Sequence, residues 1–206
     1  MTLTAEGFAR VTHVSRETMA RLEDYVRLLS AWNRRINLVG RNTIGDVWQR
    51  HILDSAQLMG HLPPGTRRVV DLGSGAGLPG LILSILGVPE VQLIESDRRK
   101  AVFLGEAIRV TRAPATLHAR RAEDIPAVTA DVVTARACAP LPELLALAWP
   151  FIGPTTVCLF LKGRGVADEL TAAAKDWNML AETMPSIADK SGCILRVEGV
   201  SRVERR

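Results

Sequence analysis

Residues 69–80, Val-Val-Asp-Leu-Gly-Ser-Gly-Ala-Gly-Leu-Pro-Gly, decide the fold of this chain. An apolar β-branched run ends at Asp71-Leu72 and enters a loop with a glycine at every second position. Such a loop can turn sharply and lets its backbone approach a ligand, because glycine has no Cβ. A helical pattern follows at once. We therefore predict strand, glycine loop and helix in that order, which is a ligand-binding junction of open α/β sheets.

Outward from this junction, short apolar runs alternate with helical patterns along the rest of the chain. The alternation predicts an α/β fold with a mostly parallel, doubly wound sheet that binds ligands at the carboxyl ends of its strands. The predicted strands cover 68–72, 91–95, 115–118, 131–135, 156–161 and 193–200, and the predicted helices between them cover 79–86, 98–110, 142–151 and 166–176.

Before the junction the pattern is helical only. From Ser15, a suitable N-cap, apolar residues recur at steps of three or four as far as Ile36, and a second amphipathic segment spans 47–59. Leu62-Pro63-Pro64-Gly65 then breaks the helical pattern. We predict an N-terminal helical extension over residues 1–64 and a Rossmann-like domain over residues 65–206.

Composition limits the class of protein. With 206 residues, 47% hydrophobic and 23% charged, the chain has the composition of one main globular domain, not of a disordered, collagen-like or coiled-coil chain. Aromatic residues make up only 4%, which argues against an RNA module that stacks bases on an aromatic platform. No signal peptide or apolar membrane span is evident, so we expect a cytoplasmic protein without a membrane partner.

The three cysteines, Cys138, Cys158 and Cys193, are widely spaced and form no C-x-x-C motif. An odd number at this spacing indicates neither a disulfide framework nor a zinc site. We therefore expect no metal, and the cysteines are interpreted as small buried apolar residues.

Two ligand classes fit the glycine loop. Gly75, Gly77 and Gly80 match the dinucleotide pattern G-x-G-x-x-G, which favours an NAD(P)-dependent oxidoreductase. The pattern acid-x-G-x-G-x-G, formed by Asp71, Gly73, Gly75 and Gly77, is typical of class I S-adenosylmethionine-dependent methyltransferases. A carboxylate repels a pyrophosphate and attracts the ammonium and sulfonium of S-adenosylmethionine, so the second class fits better.

Other strand ends carry further candidates. Glu95 ends the second strand, where a carboxylate accepts both ribose hydroxyls of a bound nucleoside. Glu123 follows the third strand, and Arg136 and Lys162 follow the fourth and fifth, where a substrate would be met. Each of these charges could also be an ordinary solvated surface group.

The net charge of +4 hides a strong local excess. Between Arg98 and Arg121 there are seven basic residues and one acid, Glu106. A second basic set lies in the helical extension at Arg34, Arg35, Arg41 and Arg50. Such blocks are often solvated helix faces. Their position around a nucleoside-binding edge nevertheless favours a polyanionic substrate.

Several segments together resemble one known family, the bacterial small-subunit ribosomal RNA methyltransferase G family, also called glucose-inhibited division protein B. The glycine motif with Pro79-Gly80 attached is one of them, and His51-x-x-Asp54-Ser55 is another. The remaining segments are Leu28-Leu29-x-x-Trp32-Asn33-x-x-x-Asn37-Leu38, Glu95-Ser96 with Lys100 and Phe103-Leu104, Arg121-Ala122-Glu123, Thr134-Ala135-Arg136-Ala137 and Lys162-Gly163. The sequence departs from the family at Leu78, where the family usually has Phe.

The resemblance implies transfer of a methyl group from S-adenosylmethionine to N7 of guanine 527 in 16S rRNA, free or in the 30S subunit. A monomer is the default expectation for the oligomeric state. The resemblance also implies cofactor contacts at Gly73, Leu78, Ala122, Glu123 and Arg136, beside the motif residues Asp71, Gly75, Gly77 and Glu95. Guanine N7 has a lone pair and no proton to lose, so we expect no general base. Arg136 and Lys162 are candidates for orienting the substrate.

The candidate RNA contacts are basic residues of both halves of the chain, namely Arg34, Arg35, Arg50, His51, Arg98, Arg99, Arg121, Lys162 and Arg164. Two alternatives to the methyltransferase stay open from the sequence. One is the oxidoreductase, and the other is a non-catalytic RNA-binding protein that senses S-adenosylmethionine.

Overall fold

The computed structural model describes residues 3–204, so residues 1–2 and 205–206 of the two predicted regions lie outside the described residues. Its centre is a seven-stranded sheet in the order β3-β2-β1-β4-β5-β7-β6, in which the five strands from β3 to β5 run parallel and β7 runs antiparallel to both of its neighbours, β5 and β6. This confirms the predicted mostly parallel sheet. The strands are β1 Arg68–Leu72, β2 Glu90–Ile94, β3 Ala115–His118, β4 Val132–Arg136, β5 Val157–Lys162, β6 Trp177–Pro185 and β7 Cys193–Arg202.

Helices cover both faces of the sheet. Ser15 accepts a hydrogen bond from the backbone N–H of Thr18 and so caps the second helix, as predicted. Asp97 caps the long helix after β2 in the same way, through the N–H groups of Arg99 and Lys100. The helices are α1 Ala5–Thr12, α2 Arg16–Trp32, α3 Asp54–Ala56, α4 Gly80–Ile85, α5 Arg98–Thr111, α6 Leu141–Ala148 and α7 Val166–Ala173.

Two predicted elements differ from the structure. The helix expected to reach Ile36 ends at Trp32, because the side-chain oxygen of Asn33 accepts the N–H groups of Leu38 and Val39 and turns the chain. The segment expected to be one amphipathic helix over 47–59 is a series of short π, α and 3₁₀ turns. The amphipathic spacing was correct, but spacing alone does not determine how tightly the turns are wound.

Two elements were missed by the sequence patterns. Helix α1 precedes Ser15, and β6 follows α7 at the edge of the sheet. Most side chains of β6 are exposed on both faces, since only Trp177 in it is buried. An edge strand that buries so little carries no clear alternation of apolar and polar residues.

The buried residues form one cluster on each face of the sheet. On one face, α6 and α7 pack against β4, β5 and β7. On the other face, the N-terminal helices share a single core with α4 and α5. The hydroxyl of Tyr25 donates to the carbonyl of Ala76 at 2.6 Å, so helix α2 directly supports the glycine loop. No helix among residues 3–204 is long and apolar enough to cross a membrane.

Candidate functional site

The loop after β1 has the backbone that its glycines predict. Gly73, Gly75 and Gly77 all have positive φ, at +60°, +56° and +84°. At Gly73 a Cβ would also lie 2.5 Å from Sγ of Cys138, which is far inside van der Waals contact. Both the conformation and the close approach therefore require glycine at position 73.

Glu95 holds this loop from the end of β2. Its two carboxylate oxygens accept the N–H of Gly75 at 2.8 Å and the N–H of Asp97 at 2.7 Å. The side chain is buried, and each oxygen keeps a second lone pair. Glu95 thus connects two backbone segments and retains acceptor capacity for the hydroxyls of a ligand.

Asp71 lies below the loop. We expected its carboxylate to face a cationic ligand, but its side chain is 0% exposed. The Thr134 hydroxyl donates to Oδ1 at 2.7 Å, and Oδ2 has no hydrogen-bond partner among the described residues. Burial raises the pKa of Asp71 to about 6, with the hydrogen bond from Thr134 opposing the shift. Because the carboxyl is sealed between β1, β4 and Gly80, it supports the loop and offers no open surface to a ligand.

A cavity of about 160 Å³ opens beside Gly73. It brings together predicted residues that are far apart in the sequence, since Ala122 and Glu123 line it with Gly73. Ser96, Arg120, Arg121 and Cys138 also contribute to its wall. Leu78 takes no part, because it is 3% exposed and packs in the core under the N-terminal helices.

The donors and acceptors of this region fit a nucleoside-bearing cation such as S-adenosylmethionine. Ile94 and Ala122 give the smaller cavity an apolar wall that suits a purine ring, and the carboxylate of Glu95 follows β2, where ribose hydroxyls would lie. A Cβ at position 73 would fill the space beside Cys138. The described residues contain no group of three side chains that could hold a metal ion.

A second cavity, of about 650 Å³, lies on the other side of Cys138, which lines both. Its volume is in the range of small-molecule sites. Its wall comes from six separate parts of the chain: residues 38–40, residues 50–54, the end of β4 with the loop after it, the end of β5, helix α7 and the start of β7 with the loop before it. The charged side chains in the wall are Arg50, Asp54, Arg136, Lys162, Glu169 and Asp189, with His51 beside them.

Arg136, expected as a cofactor contact, lines the larger cavity and not the smaller one. Its Nη1 lies 3.0 Å from Nδ1 of His51, 3.3 Å from the carbonyl of Arg50 and 3.5 Å from Oδ2 of Asp54. Burial, then the charge of Arg136, lowers the pKa of His51 to about 3, so the imidazole is neutral. Its Nδ1 must then accept from Arg136, and Nε2–H donates to Oγ1 of Thr43 at 2.8 Å.

Lys162 holds the opposite side. Its Nζ donates to Glu169 at 2.6 Å and to the carbonyl of Ala139 at 2.9 Å, and its side chain is 8% exposed. Glu169 also accepts the N–H of Leu141 at the start of α6. These bonds hold the loop in which Ala137 has a φ of 49°. The expected contact of Lys162 with RNA therefore disagrees with the structure, because its ammonium is already occupied and nearly buried.

The other candidate RNA contacts differ in exposure. His51 is buried in the cavity wall, and Arg50 pairs with Asp189 at 2.9 Å. Arg98 and Arg99 lie exposed at the start of α5, where cations face the positive end of the helix dipole. Such a placement costs stability, which favours a role in binding. The exposed candidates are Arg34, Arg35, Arg98, Arg99, Arg121 and Arg164.

Several residues of the cavities were not among the sequence candidates. Cys138 was interpreted as an ordinary buried apolar residue, yet it separates the two cavities. Asp54 was quoted only as part of a motif, although its spacing from His51 places both on one side of a helical turn. Asp189 had no local signal in the sequence.

Comparison with known proteins agrees with this geometry. The family described as rRNA small subunit methyltransferase G matches residues 18–193. A protein named ribosomal RNA small subunit methyltransferase G from Rhodospirillum centenum is 58% identical and covers 96% of this chain and 91% of its own length. A protein of the same name from Rhodospirillum rubrum is 52% identical and covers 97% of this chain and 100% of its own.

The chain belongs to the rRNA small subunit methyltransferase G family.

Membership of this family makes the chain a methyltransferase with S-adenosylmethionine as its methyl donor. The sequence alternatives, an oxidoreductase and a non-catalytic sensor, are therefore set aside. Solved structures share the Rossmann-like fold. A ribosomal protein L11 methylase from Lactobacillus delbrueckii matches with a TM-score of 0.58 at 13% identity, covering 73% of this chain and 77% of that one. TYW2 of M. jannaschii in complex with AdoMet matches with a TM-score of 0.55 at 16% identity, covering 77% of each chain.

Proposed function

We propose that this protein transfers a methyl group from S-adenosylmethionine to N7 of guanine 527 in 16S rRNA. One observation carries the proposal beyond the family name: a slot suited to a nucleoside and a cavity large enough for a base adjoin at Cys138, directly beside Gly73. A donor in the first and a base in the second would approach each other across this residue. A ribosomal substrate also implies a cytoplasmic reaction, and we expect a monomer.

The cofactor would be held by backbone and carboxylate groups of the smaller cavity. Gly73, Gly75 and Gly77 supply a loop that a ligand can approach closely, and Glu95 supplies acceptors for ribose hydroxyls. Ala122 and Glu123 would flank the adenine. Asp71 is reassigned from a direct contact to a support of the loop, and Leu78 would act only through the packing beneath it.

The chemistry requires alignment more than proton transfer. S-adenosylmethionine supplies an electrophilic methyl carbon, and the carbon–sulfur bond breaks as the carbon–N7 bond forms. Guanine N7 uses its own lone pair, so the site needs no general base. His51 suits that requirement, because a histidine that stays neutral at physiological pH and is hydrogen-bonded at both ring nitrogens positions its neighbours and carries no proton to or from the base.

The larger cavity also tolerates the movement of charge onto the base. Arg50, Arg136 and Lys162 are each close to an acid, and the paired acids are Asp189, Asp54 and Glu169. The charged groups of the wall therefore balance. A cation near the methylated purine would oppose the product, and this pairing removes most of that penalty.

RNA outside the target base would be bound by exposed arginines. Arg121 lines the smaller cavity, Arg98 and Arg99 begin helix α5, and Arg34 and Arg35 lie on the N-terminal extension. Phosphate contacts of this kind set affinity and orientation and do not read sequence. The low aromatic content agrees with recognition by charge and shape.

The proposal is tested by incubating the protein with S-adenosylmethionine labelled in its methyl group and with 30S particles or 16S rRNA from a strain that lacks the modification. We expect one labelled nucleotide, guanine 527, with the label on N7. Nuclease mapping and mass spectrometry of the nucleoside measure both. Label at another nucleotide, at another atom of guanine, or in protein would contradict the proposal.

A further inference from the structure

The larger cavity contains a charged pair that matches the Watson–Crick edge of guanine. Guanine presents there the acceptor O6 followed by the donors N1–H and N2–H, whereas adenine presents a donor followed by an acceptor. Enzymes that modify a base outside the stack select it through this edge. A cation beside a carboxylate therefore complements guanine and opposes adenine.

Three carboxylates line the cavity, and they differ in what already occupies them. Asp189 uses Oδ1 for the backbone N–H and hydroxyl of Ser191 and Oδ2 for Arg50. Glu169 accepts from Lys162 and from the N–H of Leu141 on Oε2, and so fixes the start of α6. Both acids therefore have tasks within the fold.

Asp54 is occupied differently. Its Oδ1 accepts from Gln57 at 2.9 Å and Ser186 at 3.3 Å, which orients the carboxylate. Its Oδ2 has only the contact with Arg136 at 3.5 Å, well beyond the roughly 2.8 Å of a charge-assisted hydrogen bond. Oδ2 therefore keeps acceptor capacity, and only 15% of the side chain is exposed.

Arg136 keeps donors on the same side. Its contacts with Asp54, His51 and Arg50 all involve Nη1. Among the described residues, no hydrogen bond of Nη2 or Nε is formed. The planar guanidinium can thus donate to a carbonyl oxygen while Nη1 stays fixed. Arg136 offers a donor directly beside the acceptor of Asp54.

We infer that Asp54 is the residue that selects guanine, by accepting N1–H and N2–H of the target base while Arg136 donates to O6. The inference rests on the proposed function and deepens it, because it names how the base is chosen. In this arrangement N7 lies on the other side of O6 from the carboxylate. The edge to be methylated is therefore left free to face the boundary with the smaller cavity at Cys138.

The inference is tested with inosine, which keeps O6 and N1–H of guanosine and lacks the N2 amino group. 16S rRNA carrying guanosine or inosine at the nucleotide that the wild-type protein methylates is prepared by ligation. For the wild type we expect kcat/KM to fall about 10- to 100-fold on inosine, because one hydrogen bond to a charged, desolvated acceptor is lost. Assays are run at mildly alkaline pH, since burial raises the pKa of Asp54.

Asp54→Asn should lower kcat/KM on guanosine by a similar factor. It should also reduce the inosine penalty, the ratio of kcat/KM on guanosine to that on inosine, to less than about threefold, because the variant has already lost the contact that inosine cannot make. A purely structural role of Asp54 would leave the inosine penalty unchanged, and that result overturns the inference. Asp54→Ser is the second variant, should the asparagine variant be unstable. Calorimetric binding of S-adenosylmethionine should be unchanged in both, because Asp54 lies outside the smaller cavity.

Matched controls come from the other carboxylates of the cavity. Asp189→Asn and Glu169→Gln should keep the wild-type inosine penalty, whatever their effect on stability. If the penalty disappears in Glu169→Gln and persists in Asp54→Asn, the assignment to Asp54 is wrong. If the wild type methylates no guanine N7 at all, the proposed function itself fails, so the two failures are distinguishable.

Discussion

The two adjoining cavities are built on different principles. The smaller one depends on a contiguous stretch, Gly73 to Gly77, whose backbone takes positive φ at every second residue. The larger one depends on side chains from distant parts of the chain, held in pairs such as Arg136 with Asp54 and Lys162 with Glu169. If the proposed function holds, binding of the methyl donor depends on the backbone and selection of the base depends on side chains, so the two should be sensitive to different mutations.

The largest effect is expected from Gly73→Val. A side chain at this position would meet Sγ of Cys138 at 2.5 Å and would be strained at a φ of +60°. We expect the Kd for S-adenosylmethionine to rise more than about 100-fold by calorimetry, since a displaced loop closes the smaller cavity.

Gly75→Ala is the matched control for this steric effect. Its φ is also positive, but the nearest atom to its Cβ would be the carbonyl oxygen of Gly73 at 3.7 Å. Only backbone strain of about 1 kcal/mol remains, so we expect a much smaller loss of affinity. Equal losses in both variants would show that conformation, and not the approach of Cys138, explains the need for Gly73.

Glu95→Gln should have the next largest effect. The substitution leaves one neutral acceptor oxygen, so only one of the two hydrogen bonds from the N–H groups of Gly75 and Asp97 can be kept, and the other N–H faces an amide NH₂ that cannot accept. Such bonds to a charged group contribute about 1.5–3 kcal/mol, so we expect the Kd for S-adenosylmethionine to rise about 10- to 100-fold. Glu90→Gln, on the same strand at its other end, is the control and should leave the Kd unchanged.

Two buried groups, one in the wall of the larger cavity and one below the smaller cavity, should make opposite contributions to the pH dependence of the protein's stability. His51, in the larger cavity, has a folded pKa of about 3, below its unfolded value near 6.5. Between these pH values the unfolded state binds more protons, so acidification destabilises the protein by up to about 1.4 kcal/mol per pH unit. We expect His51→Asn to flatten this part of the unfolding free energy measured in urea between pH 6.5 and 5.

Asp71, below the smaller cavity, has a folded pKa of about 6, above the value of 3.8 for a free carboxyl. Here the folded state binds more protons, and acidification through this range stabilises the protein. Asp71→Asn should therefore make the loss of stability on acidification steeper, opposite to the histidine variant. If both variants change the slope of the unfolding free energy against pH in the same direction, the opposite pKa shifts of His51 and Asp71 are contradicted.

The smallest effect is expected at the surface. Arg98→Ala combined with Arg99→Ala should weaken RNA binding and reduce its dependence on salt by up to about two charges. Filter binding of 16S rRNA at several salt concentrations measures the slope. Arg10→Ala with Arg16→Ala, two exposed arginines outside the proposed contacts, is the matched double variant. An unchanged slope in the first pair would remove Arg98 and Arg99 from the interface.

Sequence alone determined the features that depend on neighbouring residues. The strand, glycine loop and helix from Arg68 to Ile85 were predictable, because φ above zero and close backbone approach are requirements that glycine meets locally. The alternation of predicted strands with predicted helices likewise indicated a mostly parallel sheet. Glu95 was placed correctly at the end of β2, because the end of a strand fixes which edge of the sheet its side chain reaches.

Only the tertiary structure decided what depends on contacts between distant segments. The fold places the carboxyl of Asp71 in the interior, away from the proposed ligand. It also buries Lys162 against Glu169. Finally, it brings Asp54 into contact with Arg136, 82 positions further along the chain. Periodicity and motif spacing report on which face a residue occupies, and they carry no information about its partner on another element. Charge pairing in a low-dielectric cavity depends on that partner, so the selection of the base could be argued only once the fold had brought these side chains together.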